Sequence, residues 1–153
     1  METRIVVQPE TLLPGSAGPA TANIWLESGS IGVPAVGWND FAIVVLGWWS
    51  DALLRLIRGV SSREEVRFMD GPYSVLLDSV GSDRWKLTYV DRTSGHRARD
   101  IGVADLGLAE SITVAGRGLL EACRAQRLWS DDATRLEGAI ADLRRELNDV
   151  HGS

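Results

Sequence analysis

His96 stands beside two guanidinium residues, Arg97 and Arg99, directly after Ser94-Gly95. A histidine there could carry protons, and the neighbouring positive charge would lower its pKa. No sequence context around His96 or His151 suggests a triad, so a solvated turn histidine is the expectation. Cys123 falls on the apolar stripe of a helical pattern, where a small core residue is expected rather than a reactive thiol. One cysteine and two histidines leave no recognisable zinc spacing and no internal disulfide. The glycine-rich stretches Pro14–Gly18 and Gly29–Gly37 lack both the Lys-Ser/Thr pair of a phosphate loop and the G-x-G-x-x-G of a dinucleotide turn. No catalytic residue, metal or cofactor is therefore assigned.

The carboxylates Glu27, Asp40, Asp51, Asp70, Asp78 and Asp91 are scattered, with no spacing that places two on one element. A glycosidase-like pair is not indicated. Asp40 reads as a helix cap and Asp70 as a turn residue. A second reading gathers several carboxylates in space as an acidic patch for a basic protein partner. Trp25 shares the polar side of an alternating strand with Asn23 and Glu27. If that face is exposed, Trp25 is a partner anchor; if a helix covers it, Trp25 is core. Trp25, Glu27, Asp70 and Asp78 are accordingly the candidate partner-binding residues. The net charge of −5 argues against a nucleic-acid or anionic-membrane surface.

These residues need elements to hold them, and the uncharged run Phe41–Trp49 is the centre of the pattern. With Asn39 or Asp40 as its cap and Arg58-Gly59 as its stop, it predicts a helix over about residues 40–58. Phe41, Val45, Trp48, Ala52 and Leu56 repeat at helical spacing, so Trp48→Ala is expected to be costly. Asp51 and Arg55 are expected to pair at i,i+4 on the far side.

Before the helix, Arg4–Gln8 reads as a strand stopped by Pro9, residues 9–21 as a loop, Ala22–Glu27 as a second strand, and Ser28–Gly37 as a flexible connector. After it, the strands Glu64–Met69, Tyr73–Val80, Arg84–Asp91 and His96–Val103 are separated by Asp70-Gly71, Gly81-Ser82-Asp83 and Thr93-Ser94-Gly95. Glu65 is expected on an exposed strand edge, where substitution does little. Two helices follow, over about residues 108–127 and 131–148, the second capped by Ser130. The reading is α+β in one domain: an antiparallel sheet of about five or six strands packed by the central helix and two C-terminal helices.

The segments Val36–Phe41, Leu46–Trp49 and Phe68–Tyr73 resemble a pattern of small bacterial proteins of the polymorphic-toxin immunity type. The likeness covers about residues 37–80 and brings no catalytic or binding residue with it. It implies a non-enzymatic protein that neutralises a cognate toxin, a basic toxin domain being the expected partner. The alternative is a structural or regulatory domain that self-associates as a homodimer, and a small enzyme built from scattered Asp, His96 and Arg is a third reading. The start Met1-Glu2-Thr3-Arg4 does not read as a secretory leader, and the longest apolar run falls short of the ~20 residues of a membrane span. A cytoplasmic location is expected.

Overall fold

The computed structural model describes residues 2–93 and 95–152. Ser94, in the last of the expected turns, lies outside them. Four strands, β1 (Thr3–Leu13), β2 (Thr21–Ser28), β3 (Ile31–Val33) and β4 (Asn39–Asp40), precede α1 (Ala42–Ile57). Then come β5 (Arg63–Arg67), β6 (Tyr73–Gly81), β7 (Arg84–Asp91) and β8 (Arg97–Ala104), followed by α2 (Leu106–Ala125) and α3 (Asp131–Gly152). The architecture is α+β with antiparallel strands, and the three helices fall within a few residues of their expected bounds.

The strands form two four-stranded sheets instead of one. In the first, β2 pairs with β1 on one side and with β3 and β4 on the other; the second is the meander β5-β6-β7-β8. The outer edge of β1 is claimed by α2, whose Ser111 hydroxyl accepts a hydrogen bond from the Ile5 amide at 2.9 Å. The sheets meet at one corner, where the Ser28 hydroxyl donates to the Ile101 carbonyl at 2.6 Å and lies 3.1 Å from that of Thr3, and again where Trp38, ahead of β4, packs on Tyr73 of β6. One cluster of buried side chains nevertheless draws on both sheets and all three helices.

β1 also runs past Pro9, where a stop was expected. Proline removes a ladder donor, which a strand tolerates at a bulge, and the β1–β2 register shifts between Gln8 and Leu13. Thr11 patches the gap: its hydroxyl donates to the Gln8 carbonyl and accepts from the Asn23 amide. The expected flexible connector after β2 holds the short strand β3, paired with β2.

The end of α1 follows its signal closely. Gly59 sits at φ +73°. Its amide bonds the Leu56 carbonyl while that of Val60 bonds Arg55, which is the double closure of a Schellman motif. Within α1 the buried face is not centred on Trp48. Ala42, Val45, Leu46, Trp49, Leu53 and Leu56 are buried, whereas Trp48 is 42% exposed. Adjacent helical residues point about 100° apart, and the packing of α1 on α3 and β5 selects Trp49. The expected Asp51–Arg55 pair also yields to a tertiary one, since the Arg55 guanidinium meets Glu64 on β5 at 2.6 Å.

In α2 and α3, Leu108, Ile112, Leu119 and Cys123 face Leu136, Ile140, Leu143 and Leu147, all buried. Gly116 permits the close crossing, because a Cβ there would lie 2.6 Å from Ile140 Cδ1. Ser130 caps α3 through the Ala133 amide, as expected. Burial raises the Cys123 thiol pKa, in keeping with a core role.

Glu65 is not the inert edge residue expected. Its carboxylate accepts from the Ser74 hydroxyl at 2.7 Å and from Arg92 at 2.9 Å, and its pKa is lowered, first by Ser74 and then by Arg92. Glu64 is lowered in turn, first by Arg55. Carboxylates depressed on folding stabilise the native state above their ordinary value of 4.5, and that contribution is lost as pH falls through the lowered one. Urea midpoints should therefore drop from pH 7 to pH 3. The double variant Glu64→Gln/Glu65→Gln should start lower at pH 7 and fall less. An identical pH slope in both proteins would count against this coupling.

Candidate functional site

The inward face of the second sheet is core along most of its length and then runs out of cover. Val75 pairs with Tyr89, and Tyr89 with Arg99; one row further, Tyr73 pairs with Asp91, and Asp91 with Arg97. Side chains directly opposite on antiparallel strands share a face. Tyr73, Tyr89, Asp91, Arg97 and Arg99 therefore continue the face that carries buried Leu77 and Leu87. Pro34 and Trp38, from the segment between β3 and β4, supply the facing wall. The result is an open cleft of about 580 Å³, within the range of ligand sites.

Its aromatic floor is ordered. Trp38 meets Tyr73 edge to face at 5.4 Å between centroids, and Tyr73 stacks on Tyr89 at 6.2 Å with 20° between planes. Asp40 holds Trp38 directly and ties it to the turn that precedes Tyr73. Its carboxylate, 1% exposed, accepts from Trp38 Nε1 at 3.0 Å, from the Phe41 amide at 2.7 Å and from the Asp70 amide at 3.2 Å. Asp40 thus does not cap α1 through its side chain in the expected way; Phe41 holds the cap position, without a side-chain bond. Asp40 instead joins β4, the start of α1 and the β5–β6 turn. That turn needs Gly71, at φ +91°, where an added Cβ would strike the Tyr73 ring at 2.6 Å.

The charges in the cleft are unequal in their partners. Asp91 is occupied by Thr93, whose amide donates to it at 2.9 Å and whose hydroxyl also donates. These bonds, hydroxyl first, and then the nearby charge of Arg97 hold its pKa below the usual carboxylate range. Among the described residues, the side chains of Arg97 and Arg99 have neither a hydrogen bond nor a carboxylate at ion-pair distance. Tyr89 is pushed up to about 12, by burial first and then by Asp91 and Tyr73, against the opposing charge of Arg99. Its phenol is a permanent donor at neutral pH. The cleft can hold an anion and cover a flat or apolar group.

The four candidate partner-binding residues lie apart. Trp25 is 5% exposed. It is backed by the β2–β3 hairpin, where a Cβ on Gly32 would come within 3.4 Å of its ring. It is interior, not an exposed anchor, and its indole N–H has no acceptor. Glu27, also on β2, bonds Arg4 at 2.8 Å. Asp78, in β6 of the other sheet, faces Arg63 at 3.4 Å. Asp70 is exposed in the β5–β6 turn and contributes only its amide to Asp40. His96 is exposed. Sequence reasoning missed Trp38, Tyr73 and Tyr89 and saw the two arginines only as neighbours of His96. The available signal was their i,i+2 spacing in a strand, which sends both to one face.

Among the described residues no group of three His, Cys, Asp or Glu side chains is placed to hold a metal ion. No helix there is long and apolar enough to cross a membrane. No protein-family model, curated protein or solved structure matches the chain.

Proposed function

We propose that this is a non-enzymatic, cytoplasmic binding protein of the immunity type, which neutralises a cognate protein toxin by holding it through the cleft. One observation carries the reading. Val36–Phe41 and Phe68–Tyr73, two of the segments that resemble immunity proteins, converge on the Asp40 carboxylate and build the Trp38–Tyr73 wall of an open cleft. Preorganised aromatics beside arginines are the make-up of interface hot spots. The test is co-expression. A host protein captured by the tagged chain should arrest growth when expressed alone, and the chain should relieve the arrest. Tyr89→Ala, verified as folded, should relieve it less. A captured partner that is harmless by itself would sink the proposal.

Self-association is the second reading, and Trp48 favours it. This residue is 42% exposed beside β5, an edge strand of the second sheet. Sedimentation across a hundredfold concentration range decides the matter, and a constant monomer mass would remove it.

A further inference from the structure

We infer that the cleft receives an extended acidic segment of the partner protein, with carboxylates on Arg97 and Arg99 and an apolar or aromatic side chain on the Tyr73–Tyr89 shelf. The inference rests on the binding role just proposed and gives the chemistry of the occupant.

Charge is the first argument. Elsewhere on the second sheet, Arg63, Arg67 and Lys86 each face a carboxylate, at 3.4, 3.9 and 3.9 Å, as does Arg92 just past β7 at 2.9 Å; among the described residues Arg84, at the end of β7 away from the cleft, has none. Arg97 and Arg99 share one face at the cleft without such a partner, and the single carboxylate lining it, Asp91, is engaged by Thr93. Guanidiniums against an aromatic wall gain from a bidentate carboxylate.

Spacing is the second. Residues two apart on a strand are about 6.6 Å apart, at roughly 3.3 Å per residue. An extended segment with acids at alternate positions repeats at the same interval and can meet both arginines. Successive side chains of such a segment point to opposite sides, so the next positions of the same parity, two residues before or after the acids, reach the aromatic floor, while the intervening side chains turn to the facing wall of Pro34 and Trp38. Arg97 and Arg99 are on β8, the other edge strand of the sheet, so a segment can lie alongside. A nucleic acid is the weaker occupant, because among the described residues the cleft is lined by two cations, too few to follow a phosphate backbone.

The test uses the purified full chain and fluorescein-labelled peptides of sequence Ser-Phe-Ser-Glu-Ser-Glu-Ser-Phe-Ser, whose acids and aromatics share one side when extended, with glutamine and lysine versions and a ten-nucleotide oligo-dT. Anisotropy should show the glutamate peptide binding at least about tenfold tighter than the glutamine one, a difference of about 1.4 kcal/mol. The preference should weaken with salt and vanish in Arg97→Ala/Arg99→Ala. Both side chains are exposed, so the variant should melt like the parent, and Arg117→Ala serves as a distant control. Equal binding of the glutamate and glutamine peptides, an acid preference that survives the double variant, or tighter binding of oligo-dT would each overturn the inference. A toxin bound equally well by Arg97→Ala/Arg99→Ala would overturn it while leaving the immunity reading intact. An arginine-dependent acid preference without any toxin supports it and removes that reading instead.

Discussion

Asp40→Ala is expected to destabilise the protein by about 3–5 kcal/mol, although the residue makes no ion pair and does not cap its helix through its side chain. The substitution strands Trp38 Nε1 and the Phe41 and Asp70 amides around a site that is 1% exposed. Each donor left unsatisfied away from water costs about 1–3 kcal/mol; Trp38 Nε1 and the Phe41 amide carry most of the loss, since Asp70 is exposed and its amide can turn to water. Asp40→Asn should cost less, because one oxygen survives, yet its amide group then faces donors where an acceptor is needed. Urea midpoints on the two variants check the order Ala worse than Asn. Near-equal stability of Asp40→Ala and the parent would mean that β4, α1 and the β5–β6 turn are held by packing alone.

The second large effect separates two adjacent tryptophans. Trp49→Ala should cost about 3–5 kcal/mol, since the side chain is fully buried in the common core. Trp48→Ala should cost under about 1 kcal/mol, as an exposed position without a special backbone or cap role. Trp49→Phe refines the comparison. The Trp49 indole N–H is buried without an acceptor, so phenylalanine removes that penalty along with some volume. Its loss should be well below that of alanine. Equal losses for Trp48→Ala and Trp49→Ala would show that α1 is rotated from the orientation described.

This pair also shows where sequence stops being informative. Periodicity located α1, α2 and α3 because charged residues mark the solvent side of the last two, and Gly59 marks the end of the first. From Phe41 to Trp49 there is no charge to orient the helix, and only tertiary packing chooses between neighbouring tryptophans. The hairpin at Asp70-Gly71 was readable from turn chemistry. The division into two sheets was not, because strand partners are chosen by contacts distant in sequence; at the outer edge of β1, for instance, the Ile5 amide meets Ser111 of α2, 106 residues away. The cleft was hidden for a similar reason: cross-strand register brings Tyr73, Tyr89 and the arginines to one face, and Trp38 reaches them from a segment of the other half of the fold. Glu27 and Asp78 drew attention by their charge, but Arg4 and Arg63 sit opposite them.

The cleft consists of the last rows of a sheet whose deeper rows are core. Tyr73, Asp91 and Arg97 form an end row, whereas Leu77 and Leu87, on the same face, are fully buried. Substitutions at Asp91, Arg97 or Arg99 exchange side chains that the interior does not lean on. On the proposed binding role, a lineage could therefore rewrite its recognition by successive changes in these outer rows, each neutral for folding, on an unaltered scaffold.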